Sequence, residues 1–275
     1  MVTNRHVAVL AFLTAALFGP LATAEPFTPP CAKPSLPTPK PSTALEIDTV
    51  CGVNGQPSQP KPEVDQNSAK NNFCATGQTG PQPQPITVQQ MQDLQTEVQK
   101  DKSINFGGEV HPLSSAPGPT VDRAPLGKLG EGKLRVLEGY ILIARQEGKE
   151  MVNCETTPKN DPASHDIHIS IVGSANQVHG NECASVVVEM SPHGRPDSWN
   201  ETNLQKVALG HKRVRVTGQL FFDSSHSPCI DGKAEKGDPH RSSLWEIHPI
   251  YKFEVCPSAD CKTGGWKTLD QWVHP

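Results

Sequence analysis

Aromatic side chains are scarce in this chain: eight phenylalanines, four tryptophans and two tyrosines, 5% of the total. A protein that stacks bases along a surface needs more of them. Excess positive charge is also missing. The formal net charge is −4 with histidines neutral, which argues against a generic nucleic-acid or anionic-membrane binder. Beyond the N-terminus no apolar run is long enough for a membrane span. There is no Cys-x-x-Cys pair to suggest zinc or thioredoxin-like chemistry. Hydrophobic residues make up only 35% of the 275, so part of the chain is expected to stay out of any core.

The N-terminus carries the marks of a secretory signal. Arg5 and His6 give a basic start, Val7 to Phe18 is apolar, Gly19-Pro20 breaks the run, and Ala22-Thr-Ala24 is a small-x-small cleavage site. Residues 1–24 are therefore expected to be removed, taking Arg5 with them and leaving a charge of about −5. No cysteine stands at the cleavage point for a lipid anchor. The expected location is periplasmic, cell-surface or extracellular.

Eight cysteines follow: Cys31, Cys51, Cys74, Cys154, Cys183, Cys229, Cys256 and Cys261. An even number in an exported chain reads as disulfides. Three precede residue 125 and five follow it. If all pair within the chain, at least one bridge ties the two parts together. Cys51–Cys74 is the natural local pair.

Residues 25–125 read as a Pro-rich, disulfide-tethered arm, with Pro29-Pro30, Pro34, Pro37, Pro39 and Pro41 favouring extended chain. One helix is expected near 87–100, capped by Thr87 with Gln90 three residues on. Residues 126–275 change texture. Strands are expected at 134–146, with Gly139 suiting a bulge or bend, and at 166–172, 185–190, 212–222 and 244–256. A helix falls near 199–209, stopped by Gly210. In the last strand Trp245, Ile247, Tyr251, Phe253 and Val255 alternate with Glu246, His248, Lys252 and Glu254. Trp266, Leu269 and Trp272 share a helical face and are expected to cap the barrel. Asn200-Glu-Thr202 fits a glycosylation acceptor.

Three strands, a helix and two strands resemble, in element order, the OB-fold: a five-stranded Greek-key barrel with its helix between strands three and four. The resemblance covers about half of the chain and rests on no signature motif. It implies a mainly β domain, with a ligand across the outer face of strands two and three and the loops 147–163 and 223–243. Ligands of this fold are often nucleic acid, which the charge and aromatic content here do not favour.

Several chemical patterns fail. Gly127 to Lys133 begins like a phosphate loop, but Leu134 stands where Ser or Thr is needed and a strand follows. Asp223, Ser225 and His226 are crowded into one loop, unlike a working serine triad. One constellation remains. Asp166 and His168, Glu189, Asp223 and His226, and Glu246 and His248 are spread over four strands or their ends, with His193 nearby. His168, His226, Glu246 and His248 are candidate ligands for a divalent metal, the one cofactor suggested. Glu189, Asp223, Glu246 and Arg241 are candidate catalytic groups, and Arg195, Arg213, Arg215 and Arg241 could meet an anionic substrate such as a phosphodiester. The plainer reading is that outer strand faces are polar, that Glu246 pairs with Arg213 or Arg215, and that His248 satisfies a backbone carbonyl.

The expected function is a secreted binding module of unidentified ligand. The alternatives are a metal-assisted, nuclease-like hydrolase and a cell-envelope structural protein whose arm wraps a partner. Nothing points to oligomerisation.

Overall fold

The structure is a computed structural model. It describes residues 51, 55, 61–73, 82–101, 104, 123–148, 150–154, 164–234, 238–258, 260–261 and 265–274. The expected leader, most of the proline-rich run, Cys31 and Cys74 lie outside the described residues.

In chain order the elements are α1 (Lys61–Lys70), β1 (Gln84–Ile86), α2 (Val88–Lys100), α3 (Ala124–Leu129), β2 (Leu134–Gln146), β3 (Ile167–Val172), β4 (Val186–Met190), α4 (Glu201–Leu209), β5 (Arg213–Phe222), β6 (Trp245–Val255), β7 (Lys267–Thr268) and α5 (Leu269–Val273). The strand β2 closes the barrel. Its first half, Leu134–Tyr140, pairs antiparallel with β5, and its second half, Tyr140–Gln146, pairs antiparallel with β3. The circuit is completed by β3–β4 antiparallel, β4–β6 parallel and β6–β5 antiparallel. With α4 between the third and fourth barrel strands, this is the OB-like Greek-key order. Short strands β1 and β7 add to β2 and β6.

Close backbone approach makes the corner possible. A Cβ on Gly139 would lie 2.6 Å from the Val172 carbonyl oxygen, and one on Gly218 would run into that of Pro249. Register slips on β2 between Ile141 and Ile143, so the bulge falls just beyond Gly139.

Alternation supplies the core. Ile167, Ile169 and Ile171 of β3, Val186, Val188 and Met190 of β4, and Val214, Val216, Leu220 and Phe222 of β5 point inward. Two helices extend that core: α2 inserts Val88, Met91 and Val98, and α4 inserts Leu204 and Val207. Thr87 caps α2 in a reciprocal capping box with Gln90. Asn200 caps α4, its side chain accepting from the Asn203 N–H. In the tail Leu269 is buried in the core and Trp272 packs against it, while Trp266 stacks on the Arg215 guanidinium.

Four expectations need correction. Cys51 bonds to Cys154, not Cys74, tying the arm to the loop after β2. The other described bridges are Cys183–Cys229 and Cys256–Cys261. On β6 the alternation breaks at the cis His248–Pro249 bond, where register against β5 slips. Ile250 takes the core position expected of Tyr251, whose hydroxyl instead donates to the Asn72 carbonyl at 2.5 Å. Within the arm, where one helix near 87–100 is expected, residues 61–70 form a second, α1. Finally, Glu246 pairs with Arg241, whereas Arg215 meets Glu254 and Arg213 meets Glu138.

Gly218→Ala should lower unfolding stability by about 1–3 kcal/mol, read from denaturant melts, because the obstructing atom is backbone and cannot swing away. Burial raises the Glu254 pKa, but hydrogen bonds from Arg215 and Lys252 outweigh it and hold the carboxyl below its usual 4.5. A carboxyl depressed in the folded state stabilises above its unfolded pKa and loses that contribution as pH falls through the folded value. The melting-temperature gap between the native protein and Glu254→Gln should therefore be present at neutral pH and close in acid below that value.

Candidate functional site

Strand register builds a second face as buried as the first. On β3, His168 and Ser170 point away from the isoleucines, and His168 stands opposite Glu189 of β4. Parallel pairing sets Val187 beside Glu246 of β6, and His248 follows two residues on. Phe221 of β5 is opposite Glu246, and Asp223 comes two residues later. His168, Glu189, Asp223, Glu246 and His248 thus share one patch of the barrel's outer face. Each is at most 2% exposed.

The chain itself covers this patch. From one side α1 lies across it. Lys70 Nζ stands 3.0 Å from Asp223 Oδ2 and 3.6 Å from Glu189 Oε2. Gln66 donates to Asp223 and Ser225. Asn72 donates to Gln219 Oε1 at 2.5 Å, while Gln219 donates to the Ala69 carbonyl at 2.6 Å. From the other side comes the segment after β2. Glu147 Oε1 is 3.1 Å from His168 Nδ1, and Glu150 Oε1 is 3.6 Å from His168 Nε2. The Cys51–Cys154 bridge joins the chain leading into α1 to the end of this second cover.

Glu189 sits at the centre. Its Oε1 is 2.9 Å from His168 Nε2, and its Oε2 is 2.7 Å from His248 Nδ1. These contacts are short, yet both Glu189 oxygens and both ring nitrogens of each histidine lack an aligned hydrogen bond. Glu246 Oε2 and Asp223 Oδ2 are also without one. Buried polar atoms are usually hydrogen-bonded, so such a concentration calls for an explanation.

The electrostatics follow from burial and charge. Burial favours a neutral Glu189, but His168, Lys70 and His248 overcome it and hold the carboxyl well below its usual range. Asp223 is likewise held down: burial opposes, and Lys70 and His226 prevail. Burial works against charge on Lys70 and His248, yet the surrounding carboxylates raise both, His248 to about 9. His168 is raised for the same reason, chiefly by Glu189 against its burial. Burial and the nearby Glu189 push Glu246 up to about 7, against the pull of Arg241. Burial and Arg241 push His226 down to about 3.

Among the described residues four sets of ligand atoms each lie within 4.8 Å of one another; one, Glu182, Asp238 and His240, is partly exposed and shares no residue with the rest, and three are at this patch: Glu150, Asp166 and His168; Asp166, Glu189 and His248; and Glu189, Asp223 and Glu246. They form a chain, linked through Asp166 and Glu189. His226 is at the margin, with Nε2 3.6 Å from Asp223 and its ring 6.2 Å from that of His168. Arg241 is bound to Glu246. Arg195 is buried and donates to the His165 and Met190 carbonyls. His193, also buried, belongs to none of the three sets. Surface grooves of about 330 Å³ over β2, β5 and β6 and about 280 Å³ beside α2 do not include the cluster.

Sequence reasoning missed Lys70, Glu147 and Glu150. For Lys70 a signal existed: Pro62 at the start of α1, acids in the first turns and lysine at the end are helix boundary marks. The apolar periodicity that would have confirmed a helix is absent. The two glutamates carry no pattern of their own.

The chain matches no protein-family model, and no curated protein or solved structure shows significant similarity to it. Among the described residues no helix is long and apolar enough to cross a membrane.

Glu189→Gln should lower stability by about 3–5 kcal/mol, measured by denaturant unfolding. It leaves two imidazoles and an ammonium in a buried site with their central counter-charge gone.

Proposed function

We propose that the protein is an exported, disulfide-stabilised binding module of the OB type whose ligand is a divalent cation. Asp166, Glu189 and His248 supply two carboxylates and an imidazole, with His168 and Glu150 adjoining. The observation that carries this reading is the convergence of these fully or nearly buried ligand atoms, many of them without hydrogen bonds. A mixed oxygen and nitrogen set suits zinc, manganese or iron better than calcium or magnesium. Disulfide bridges support export, because they persist in oxidising compartments.

A metal-assisted hydrolase is the second reading. Its support is the serial arrangement of the ligand sets, since adjacent cations sharing a carboxylate are a recurrent device for cleaving phosphodiesters. The arm bridged through Cys51 and packed through α1 supports a self-contained module over an envelope protein whose free arm wraps a partner.

Metal content of the mature, oxidised protein tests the reading. After equilibration with manganese or zinc and removal of free ion, one equivalent should remain bound and should be lost in His248→Ala. At a free concentration of 100 times Kd, binding should add about 2.7 kcal/mol of stability. Protein that retains no metal and melts unchanged would sink the proposal. Metal-loaded protein should then be screened against phosphodiesters and esters, where turnover favours the second reading.

A further inference from the structure

The third ligand set differs from the other two because its ligands are all carboxylates and the ammonium of a separate side chain, Lys70, already stands against them. Glu189, Asp223 and Glu246 offer three carboxylate oxygens within 4.8 Å of one another, on side chains with no solvent exposure. Lys70 reaches two of the three with its ammonium group at ion-pair distances. The third, Glu246, is engaged from behind by Arg241. Its Oε2 stays without an aligned hydrogen bond and lies 3.8 Å from His248 Nδ1, whose nearer carboxylate is Glu189 at 2.7 Å.

We propose that Glu189, Asp223 and Glu246 form a second divalent-cation position that Lys70 plugs, and that displacement of α1 opens it, giving a pair of ions bridged by Glu189. The inference rests on the first metal position, with which it shares that carboxylate.

Three features support it. The ammonium is a compact positive charge on a flexible stem and occupies a convergence of carboxylates as a metal ion would. Withdrawing it leaves mutually repelling buried carboxylates, a state that another cation or uptake of a proton relieves.

The docking face of α1 is polar. Gln66, Asn67 and Lys70 are buried there, with Asn71, Asn72 and Phe73 just beyond, and among the described side chains of the helix Ala69 is the one buried apolar residue. Water can replace hydrogen bonds and ion pairs of this kind, whereas it cannot replace apolar contact.

The core, finally, is complete without this helix. No described side chain of α1 belongs to the barrel's apolar cluster, in contrast to α2 and α4. The plug can therefore leave without unfolding what it covers.

The test compares manganese stoichiometry in the full mature oxidised chain and in Lys70→Met, with Lys100→Met as control. Lys100 is exposed and pairs only with Glu97 at 3.2 Å among the described residues. The native protein and the control should bind one ion and Lys70→Met two, and the spin resonance of the bound pair should be broadened by exchange coupling. One ion in all three proteins, or two in the native protein, overturns the plug. An ion taken up only by Lys70→Met supports the plug and overturns the first metal position. No ion in any protein overturns both. If Lys70→Met is unfolded without metal, manganese should restore its cooperative melt, and failure to do so overturns the proposal.

Discussion

Everything on the barrel's outer face depends on one buried carboxylate. Glu189 has no exposure and lies between two imidazoles and an ammonium. An isolated charge there would be costly, and burial alone would neutralise it. Its ionised state is maintained because β3, β6 and α1 each bring a positive group to it. Those elements are in turn oriented by it, since removing the anion would leave each of the three cations with only its outer carboxylate, Asp223 for Lys70, Glu147 for His168 and Glu246 for His248. Strand register, the helix across the sheet and the loop after β2 are thus joined through a single side chain. This face is organised by charge pairing and the opposite face by packing.

The OB-like barrel commonly binds ligands across its second and third strands and the adjoining loops. Here that face belongs to β3 and β4, and the chain's own N-terminal arm and the loop after β2 lie over it. The loops that would frame a ligand are also fastened: Cys154 is bonded to the arm, and Cys183–Cys229 ties the approach to β4 to the segment after β5. A nearby buried pair strengthens the arrangement. Arg123 is bonded to Glu131 and donates to Gln66 of α1 and to the Phe222 carbonyl. Glu131 belongs to the run that begins like a phosphate loop, and its carboxylate is committed to that arginine.

The sequence was legible where one physical signal dominated. Strict alternation at Ile167, Ile169 and Ile171 identified β3 and its faces, and the Thr87–Gln90 pair marked the start of α2. The list of polar groups on the strands was also readable, because each lies on the face opposite an apolar run. Their convergence was not readable, because it depends on register between β4, β5 and β6, which are far apart in the chain. Cys51 could not be assigned for a similar reason. Its partner is 103 residues away, and proximity in sequence favoured Cys74. Lys70 was hidden by the converse problem. A helix that docks through amides and an ammonium lacks the apolar stripe by which helices are recognised. The local fault at Tyr251 and Ile250 comes from a break in β6 that no alternation rule anticipates.

The polar character of α1 has a calorimetric consequence. Heat capacity on unfolding comes largely from newly hydrated apolar surface, with polar surface contributing in the opposite sense. Undocking a helix whose buried side chains are mostly Gln, Asn and Lys exposes little of the first and much of the second. Its equilibrium should therefore lack the large positive heat-capacity change that gives the barrel beneath it the usual curved profile. The two processes have different thermal signatures within one chain: the cover has no pronounced temperature of maximum stability, and the barrel does.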